Sequence, residues 1–329
     1  MKKVLFATTA LIATTGMAAA EISFGGFGRF GLIYNDGADD ETSIEQRFRL
    51  NITGTATADN GLEFGARARI ETNDGADSDV RAAEFNVESG GFRLDVGNTS
   101  DVIDSGDVLD YYGYGVGLTA LVETSTNFAL PASGISGDGD VPATIKLRYT
   151  AGDFTVAASV TDDRDVTSIT VASTAGTATA NTATTVSREE WQIGFGYNFG
   201  NYNVGVAFGN EDVTTTTLVN GAAAATSTNV DNDFWALGFG GEIGAFAFTL
   251  LVADTDANPD TAYGVSAKYD VGAATEIRFA YSDTGAAGDD TDAYGIGFRH
   301  SLGGGVSLQG GVGEVAGNTV ADLGVRFDF

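Results

Sequence analysis

The chain has no cysteine, one histidine (His300) and three prolines among its 329 residues. The absence of cysteine excludes disulfide bonds, zinc–thiolate sites and thiol nucleophiles. A single histidine excludes metal sites built from several imidazoles. After the N-terminal segment, the sequence contains no apolar run long enough for a membrane-spanning helix. No proline-rich linker or change in composition marks a domain boundary, so we expect one domain.

Positive charge is also scarce, because 17 Lys and Arg face 45 Asp and Glu, for a formal net charge of −28. This balance argues against nucleic acid as a partner, since phosphates require clustered cations in a favourable overall field. Yet Arg47 and Arg49 alternate with apolar residues in the stretch QRFRLNITG. Arg67 and Arg69 repeat the pattern a few residues later. In this acidic protein, several of the few cationic residues therefore lie on one face of neighbouring segments.

The N-terminus has the pattern of a secretory signal peptide. Two lysines precede an apolar stretch over 4–17, and three alanines over 18–20 form a cleavage motif before Glu21. The apolar stretch is short for a transmembrane anchor, which is the alternative. We therefore predict a signal peptide over residues 1–20 and a mature chain over residues 21–329.

The rest of the sequence alternates with period two, which is typical of strands with two different faces. In Trp191–Phe199 one face is aromatic and aliphatic, whereas the other is Gln, Gly, Gly and Asn. The same alternation recurs over 202–208, 246–252 and 323–329. We count about sixteen candidate strands, a number typical of channel-forming outer-membrane barrels.

The links between these strands alternate in length, except for a short link at Ala316-Gly317. Short turns on one side and long loops on the other are typical of a transmembrane barrel, whereas a soluble β-sandwich rarely needs so many consecutive hairpins. We therefore predict an all-β transmembrane antiparallel β-barrel. The predicted long links are 35–42, 73–79, 98–142, 163–186, 212–230, 254–260 and 283–290.

Three segments carry a resemblance to a known family: Gly61–Ala66, Phe199–Gly205 and Val320–Phe329. With the order and length of the strands, they make the chain resemble the trimeric general-diffusion porins of Gram-negative bacteria, nearest to the purple-bacterial (alphaproteobacterial) type. The resemblance implies a homotrimer in the outer membrane, in contact with lipid and lipopolysaccharide. It implies passive, water-filled diffusion of small hydrophilic solutes and ions, with no cofactor. It also implies recognition of the terminal Phe329 by the barrel-assembly machinery.

In such porins the loop after the fifth strand folds into the barrel and narrows the pore. The corresponding segment here is 98–142, which we call the constriction loop. Its length of about forty-five residues is itself a sign of function or disorder. The resemblance implies that its carboxylates form the acidic side of the constriction: Asp101, Asp104, Asp107, Asp110 and Glu123.

The arginines of the first three candidate strands all have the inward phase. Adjacent strands lie about 4.8 Å apart, so these side chains form one patch, which we call the basic wall. Opposed charges across a narrow opening produce a strong transverse field. Lys146, Arg148 and Arg93 extend the patch in this interpretation. The basic wall consists of Arg29, Arg47, Arg49, Arg67 and Arg69.

A simpler interpretation is that these arginines pair with nearby acids to stabilise the inner wall, and Glu45, Glu63 and Glu71 are available. The two interpretations overlap, because a paired arginine can still line a pore. The negative net charge predicts a cation preference, which the basic wall weakens.

Other patterns fit functions less well. Residues 26–31 match GxGxxG but lie within a strand, so they predict no dinucleotide site. Asp36, Asp39 and Asp40 belong to an acidic glycine-containing loop that could hold calcium weakly, although solvated loop acids are the simpler interpretation. The threonine- and alanine-rich stretch 167–185 is interpreted as mobile surface.

Three other functions remain as alternatives. A substrate-selective porin would carry spaced aromatic residues along the channel, but Phe27 is the main inward candidate. A surface-binding barrel with a closed lumen would act through its long loops. A barrel enzyme would depend on His300, which we place at the end of the fourteenth strand as an interface residue. We expect no enzymatic activity.

Overall fold

The computed structural model describes residues 20–73, 79–132, 143–171, 181–219 and 225–329. Apart from Ala20, the predicted signal peptide lies outside these ranges. Residues 133–142 of the constriction loop also lie outside them. Among the residues that the structure describes, no helix is long and apolar enough to cross a membrane.

The described residues form sixteen antiparallel strands in one closed barrel, in which each strand pairs with the next and the last pairs with the first. This confirms the predicted fold. The strands are β1 (Glu21–Asn35), β2 (Thr42–Thr57), β3 (Glu63–Asn73), β4 (Asp79–Ser89), β5 (Phe92–Gly97), β6 (Ala143–Ala151), β7 (Phe154–Val171), β8 (Asn181–Phe199), β9 (Tyr202–Val219), β10 (Thr226–Ile243), β11 (Phe246–Thr255), β12 (Ala262–Asp270), β13 (Thr275–Asp283), β14 (Asp292–Gly303), β15 (Val306–Val315) and β16 (Asn318–Asp328).

The two faces of each strand follow the alternation of the sequence. On β8, Phe195 and Tyr197 are exposed on the outside, whereas Gln192, Gly194 and Gly196 are buried on the inside. Aromatic rings stack on the outer surface near the short turns, as in the pair Phe92 and Tyr149, whose centroids lie 4.2 Å apart. An apolar outer band with aromatic girdles is what a lipid bilayer requires of a barrel.

The hairpins at one end are short, and glycine allows several of them to turn tightly. Gly200, between β8 and β9, has φ +66°, and Gly61, between β2 and β3, has φ +83°. These positive values favour glycine because a side chain would clash with its own backbone. We call this end of the barrel the short-turn end.

Two predicted long loops are wrong in their limits. The links 163–186 and 212–230 are largely strand, because β7 extends to Val171 and β9 extends to Val219. Consequently the stretch 167–185, predicted as mobile surface, contains paired ends of β7 and β8. Threonine is β-branched and favours extended backbone, and cross-strand hydroxyl pairs add support. One such pair is Thr216 and Ser227, whose hydroxyl oxygens lie 3.3 Å apart.

The buried apolar side chains lie mainly between the constriction loop and the inner wall. Val102 and Ile103 are fully buried, and Val108 and Leu109 are nearly so. They pack against small residues of the barrel such as Ala157. The apolar core therefore fixes the loop inside the barrel, which positions the site described next.

Candidate pore constriction

The constriction loop lies inside the barrel and follows the inner wall from β7 to β16. At its start, the Ile103 backbone N–H donates to Gln192 Oε1 of β8 at 2.9 Å. Farther along, Thr124 Oγ1 donates to Ser266 Oγ of β12 at 2.8 Å. The expected inward-folded loop is therefore confirmed for residues 98–132.

Glycine and alanine on the inner face allow the loop backbone to touch the wall. A Cβ on Gly205 of β9 would lie 1.9 Å from the Val108 carbonyl oxygen, and one on Gly264 of β12 would lie 1.8 Å from the Thr124 carbonyl oxygen. Both distances are shorter than any real contact, so only glycine fits. We call this surface the small-residue wall; it comprises Gly194, Gly196, Gly205, Ala207, Ala236, Gly238 and Gly264.

Asp322 of β16 holds the far end of the loop. Its carboxylate accepts hydrogen bonds from the Leu118 N–H at 2.9 Å, the Thr119 N–H at 2.7 Å and the Thr119 hydroxyl at 2.8 Å. The neighbouring Gly117 has φ +85°, which lets the chain turn there. Sequence reasoning missed this anchor. Its signal was a carboxylate on the inward phase of the middle of the last strand, next to outward Leu323.

The structure brings the five residues of the basic wall together on the inner faces of β1, β2 and β3. Arg29 lies directly opposite Arg47 across the β1–β2 pair. Arg49 lies opposite Glu71 across the β2–β3 pair. Arg69 donates through Nε to Asn51 Oδ1 at 3.1 Å. The predicted arrangement of one patch across three strands is therefore present.

The same arginines pair with carboxylates of their own wall. Arg29 contacts Glu45 at 2.6 Å. Glu71, whose side chain is 1% exposed, binds both Arg47 and Arg49. The expected partners Glu45 and Glu71 are thus in place.

The third partner differs from the expected one. Among the described residues, Arg67 pairs with Glu84 of β4 rather than with Glu63. A β-bulge between Arg67 and Arg69 shifts the register of the β3–β4 pair. The choice of partner could not be read from strand phase alone.

A sixth arginine joins the patch through barrel closure. Arg326 of β16 lies opposite Arg29 of β1, and its guanidinium carbon stands 4.0 Å from the centroid of Phe27. Arg49 approaches the same ring at 5.2 Å. A ring face attracts cations, so Phe27 offsets part of the repulsion between these guanidinium groups. The alternation around Arg326 predicted its inward phase, but its place beside Arg29 follows only from closure.

The loop carboxylates are less available to the pore than expected. Asp101 is fully buried and accepts a hydrogen bond from the Asp104 N–H at 2.7 Å, so its predicted place on the open constriction is wrong. Burial under the loop gives it a structural role. Asp104 accepts from the Tyr112 hydroxyl at 2.5 Å.

Asp107 is bound to the wall rather than facing the arginines. Lys146 Nζ lies 2.8 Å from its carboxylate, and Arg148 Nη1 lies 2.5 Å from it. Burial alone would raise the pKa of Asp107, but these two cations hold its pKa below the ordinary value. Lys146 and Arg148, expected to extend the basic wall, therefore fasten the base of the loop. Arg93 is occupied by Asp95 at 2.8 Å.

The two remaining carboxylates keep access to the lumen. Asp110 is exposed and accepts from Thr249 Oγ1 at 3.0 Å and from the Gly113 N–H at 2.8 Å. Glu123 is half-buried and has no ion-pair partner in the part of the chain that the structure describes. Burial, together with the nearby charge of Asp110, raises the pKa of Glu123 to about 7.

The structure also locates the sequence motifs that fit the channel function less well. The GxGxxG match at 26–31 lies within β1. His300 Nδ1 lies 2.7 Å from the Thr275 hydroxyl, next to a short turn. No group of three or more acidic or histidine side chains could hold a metal ion, as far as the described ranges extend. Calcium binding near Asp36, Asp39 and Asp40 stays a prediction.

Comparisons with known proteins agree with this architecture. A porin from Rhodobacter capsulatus is 30% identical over 327 residues, covering 94% of this chain and 100% of that protein. A porin from Fuscovulum blasticum is also 30% identical, with the same coverage. Among solved structures, an engineered variant of Rh. blastica porin superimposes with a TM-score of 0.71 at 27% identity, over 94% of this chain and 100% of that one. The family match extends over residues 7–319, and the chain belongs to the Gram-negative porins.

Proposed function

We propose that this porin is a passive, water-filled channel through which small hydrophilic solutes and ions cross the outer membrane. The observation that carries the proposal is the asymmetry of the lumen. The constriction loop packs on the small-residue wall, whereas the basic wall occupies the inner faces of β1–β3, where the loop touches it through the Leu118 carbonyl oxygen, 3.5 Å from Arg29 Nη1. The porin relatives support this general-diffusion function.

The mechanism follows from the charges at the narrowest part. The basic wall and Arg326 supply positive charge from the inner faces of β1–β3 and β16, and Asp110 and Glu123 supply negative charge from the loop. A partly desolvated opening between opposite charges carries a strong transverse field. Dipolar solutes align with this field and pass, whereas apolar solutes must displace ordered water. The negative net charge favours cations, and the basic wall moderates that preference.

The alternatives have less support. A substrate-selective porin needs spaced aromatic residues in the channel, and Phe27 is held by arginines instead. A barrel enzyme would depend on His300, whose described contact is with Thr275. We therefore propose a channel without catalytic activity.

Several further properties belong to the proposal. Relatives in this family support a homotrimer in the outer membrane, in contact with lipid and lipopolysaccharide. We also propose that residues 1–20 act as the export signal and that the barrel-assembly machinery recognises Phe329. Many large apolar side chains are exposed around the barrel, such as Phe24 at 67%, and require a lipid or protein neighbour.

Single-channel recording of the refolded mature chain in a planar bilayer with asymmetric KCl tests the function. We expect ohmic openings in groups of three and a reversal potential with weak cation preference. Clear anion selectivity would contradict the predicted preference. A silent bilayer, with the barrel shown to be folded and inserted, would overturn the channel and favour a surface-binding barrel.

A further inference from the structure

A second group of cations lines the lumen beneath the constriction loop, at the short-turn end of β12, β13 and β14. Lys268, Arg278 and Arg299 share a cavity of about 650 Å³. Tyr114 of the loop forms its roof, and the turn after Asp270 forms its floor. This volume is within the range of small-molecule sites, about 300–1,000 Å³. The basic wall uses none of these residues.

The loop and the strands hold two of these cations in place. Arg278 Nη1 donates to the Gly115 carbonyl oxygen at 3.0 Å, and Arg278 Nη2 lies 2.5 Å from Glu276. Lys268 Nζ stands 5.8 Å from the centroid of Tyr114. Its carboxylate neighbours are distant, with Asp270 at 3.7 Å and Glu276 at 3.9 Å. Arg278 is therefore fixed by short contacts, whereas Lys268 makes only longer ones.

Arg299 is the unusual member of the group. It has no ion-pair partner anywhere in the described ranges, although it lies opposite Glu276 in the β13–β14 register. Glu276 is already engaged by Arg278. The cavity thus contains three cations against two carboxylates, in a protein whose net charge is −28. An anionic solute group is the ligand whose charge would balance this excess of one positive side chain.

A cavity on the opposite side of the short-turn end has the reverse balance. It measures about 460 Å³ and contains Arg67 and Arg93 with three glutamates, Glu63, Glu84 and Glu88. There, both arginines contact carboxylates of the same wall. The positive excess is therefore a local property of β12–β14 rather than of the lumen end as a whole.

We propose that the β12–β14 cavity is a binding subsite for the oxyanion group, phosphate or carboxylate, of a small solute. The fork of Arg299 matches such a group in two parallel hydrogen bonds, and Lys268 adds a point charge. Ser301 also lines the cavity, and its hydroxyl, which accepts from the Gly303 N–H at 3.3 Å, is a further donor. Tyr114 offers a ring face to the rest of the solute.

The subsite rests on the proposed channel function and adds a saturable step to it. An anionic solute that has passed the constriction is held between the loop and the short turns before it leaves. Short turns lie on the periplasmic side in outer-membrane barrels. The subsite therefore acts on the periplasmic side of the constriction and gives the channel a sided response to anions.

Titration of single-channel KCl current with inorganic phosphate tests the proposal, with added salt compensated to constant ionic strength. Phosphate on the short-turn side should reduce the current saturably and with a lower half-effect concentration than phosphate on the other side. A parallel titration with succinate separates the phosphate and carboxylate classes. Block by either anion supports the subsite; block by neither, in a channel that opens normally in KCl, overturns it and leaves the channel function intact.

Variants locate the effect. Arg299→Gln should raise the half-effect concentration about tenfold, because hydrogen bonds to charged groups are the strong ones. Arg299→Lys keeps the charge but loses the fork, so it should recover part of the affinity. Arg188→Gln removes one positive charge from the middle of β8, away from β12–β14, where Arg188 pairs with Glu211 at 2.8 Å, and serves as the matched control. An equal shift in Arg299→Gln and Arg188→Gln would show a general charge effect and overturn the site.

Discussion

The inner faces of β1–β3 and of β8–β12 have opposite designs. The first carries long charged side chains into the lumen, each supported by a carboxylate or amide of the same wall. The second carries glycine and alanine, so that loop backbone replaces side chains against it. From sequence alone, alternating strands with small inward residues suggest an open channel wall. Here these strands form the surface on which the constriction loop packs.

The difference assigns separate tasks to the acids of the loop and the bases of the wall. Asp101 and Asp107 hold the loop, so among the five predicted loop carboxylates Asp110 and Glu123 are the ones that supply negative charge to the opening. The basic wall pairs with carboxylates of its own wall but keeps a positive excess, because with Arg326 it has six arginines against Glu45, Glu71, Glu84 and Asp328. The stronger pole of the transverse field therefore lies on β1–β3 and β16.

Removal of the positive pole should have the largest effect. In Arg47→Gln/Arg49→Gln, two cations leave the opening, so cation selectivity should rise. Glu71 also loses both of its arginines, and removal of the cationic side of a buried ion pair costs about 3–5 kcal/mol of stability. The reversal potential in asymmetric KCl and the unfolding midpoint in detergent measure the two effects.

Addition of Glu71→Gln to this double variant is the control, because it removes the stranded carboxylate. Stability should then recover, whereas the selectivity should stay closer to wild type than in the double variant. If selectivity and conductance of the double variant both equal those of wild type, the basic wall is not at the constriction.

Release of the loop tip should have the next largest effect. Asp322→Ala removes the acceptor of three hydrogen bonds, and a bond to a charged acceptor contributes about 1.5–3 kcal/mol. The tip should leave β16, and open-channel current noise should increase. Asp322→Asn keeps one acceptor oxygen and should have an intermediate effect. Equal noise in wild type and Asp322→Ala would show that apolar packing alone holds the loop.

Filling the small-residue wall should have a smaller effect. Gly205→Ala places a methyl group where the Val108 carbonyl oxygen lies, so the loop must move toward the basic wall. We expect lower conductance and a loss of about 1–3 kcal/mol, as for overpacked cores. Gly54→Ala is the matched control, because a Cβ there has no atom within 4 Å. Similar conductance changes in both variants would contradict the packing of the loop backbone against Gly205.

The sequence was sufficient for the barrel because the face of each strand is a local property. Alternation placed Arg47 and Arg49 on the inside, whatever their partners. Contacts between distant strands were not local, so Arg326 beside Arg29 and Asp322 beneath Leu118 were missed. The polar threonines near 167–185 suggested a loop, but cross-strand pairing extended the strands there.

The prediction for the acidic side of the constriction was partly wrong for a related reason. A loop has no period, so its sequence does not show which carboxylates face water. Asp101 is buried and Asp107 is paired with β6, and neither fact is visible in the spacing of the loop acids. The small-residue wall did leave a signal, since inward glycines recur on β8, β9 and β10.

The smallest expected effect concerns the negative pole. Burial raises the pKa of Glu123 to about 7, above the ordinary value of 4.5. Its carboxyl is thus neutral below that pH and charged above it. Cation selectivity should rise between about pH 6 and 8, and Glu123→Gln should abolish that rise. Reversal potentials recorded across this range measure the effect.

The same shift has a consequence for stability with a fixed sign. Because the folded pKa lies above the unfolded one, the neutral carboxyl stabilises the packed loop. That contribution is complete below about pH 4.5 and is lost as pH rises through about 7. Loop release above pH 7 would increase current noise in wild type but not in Glu123→Gln. If selectivity rises with pH and noise does not, the loop stays packed when Glu123 is charged. Glu123 would then be solvated at the opening beside Asp110, and its neutral form would not stabilise the loop.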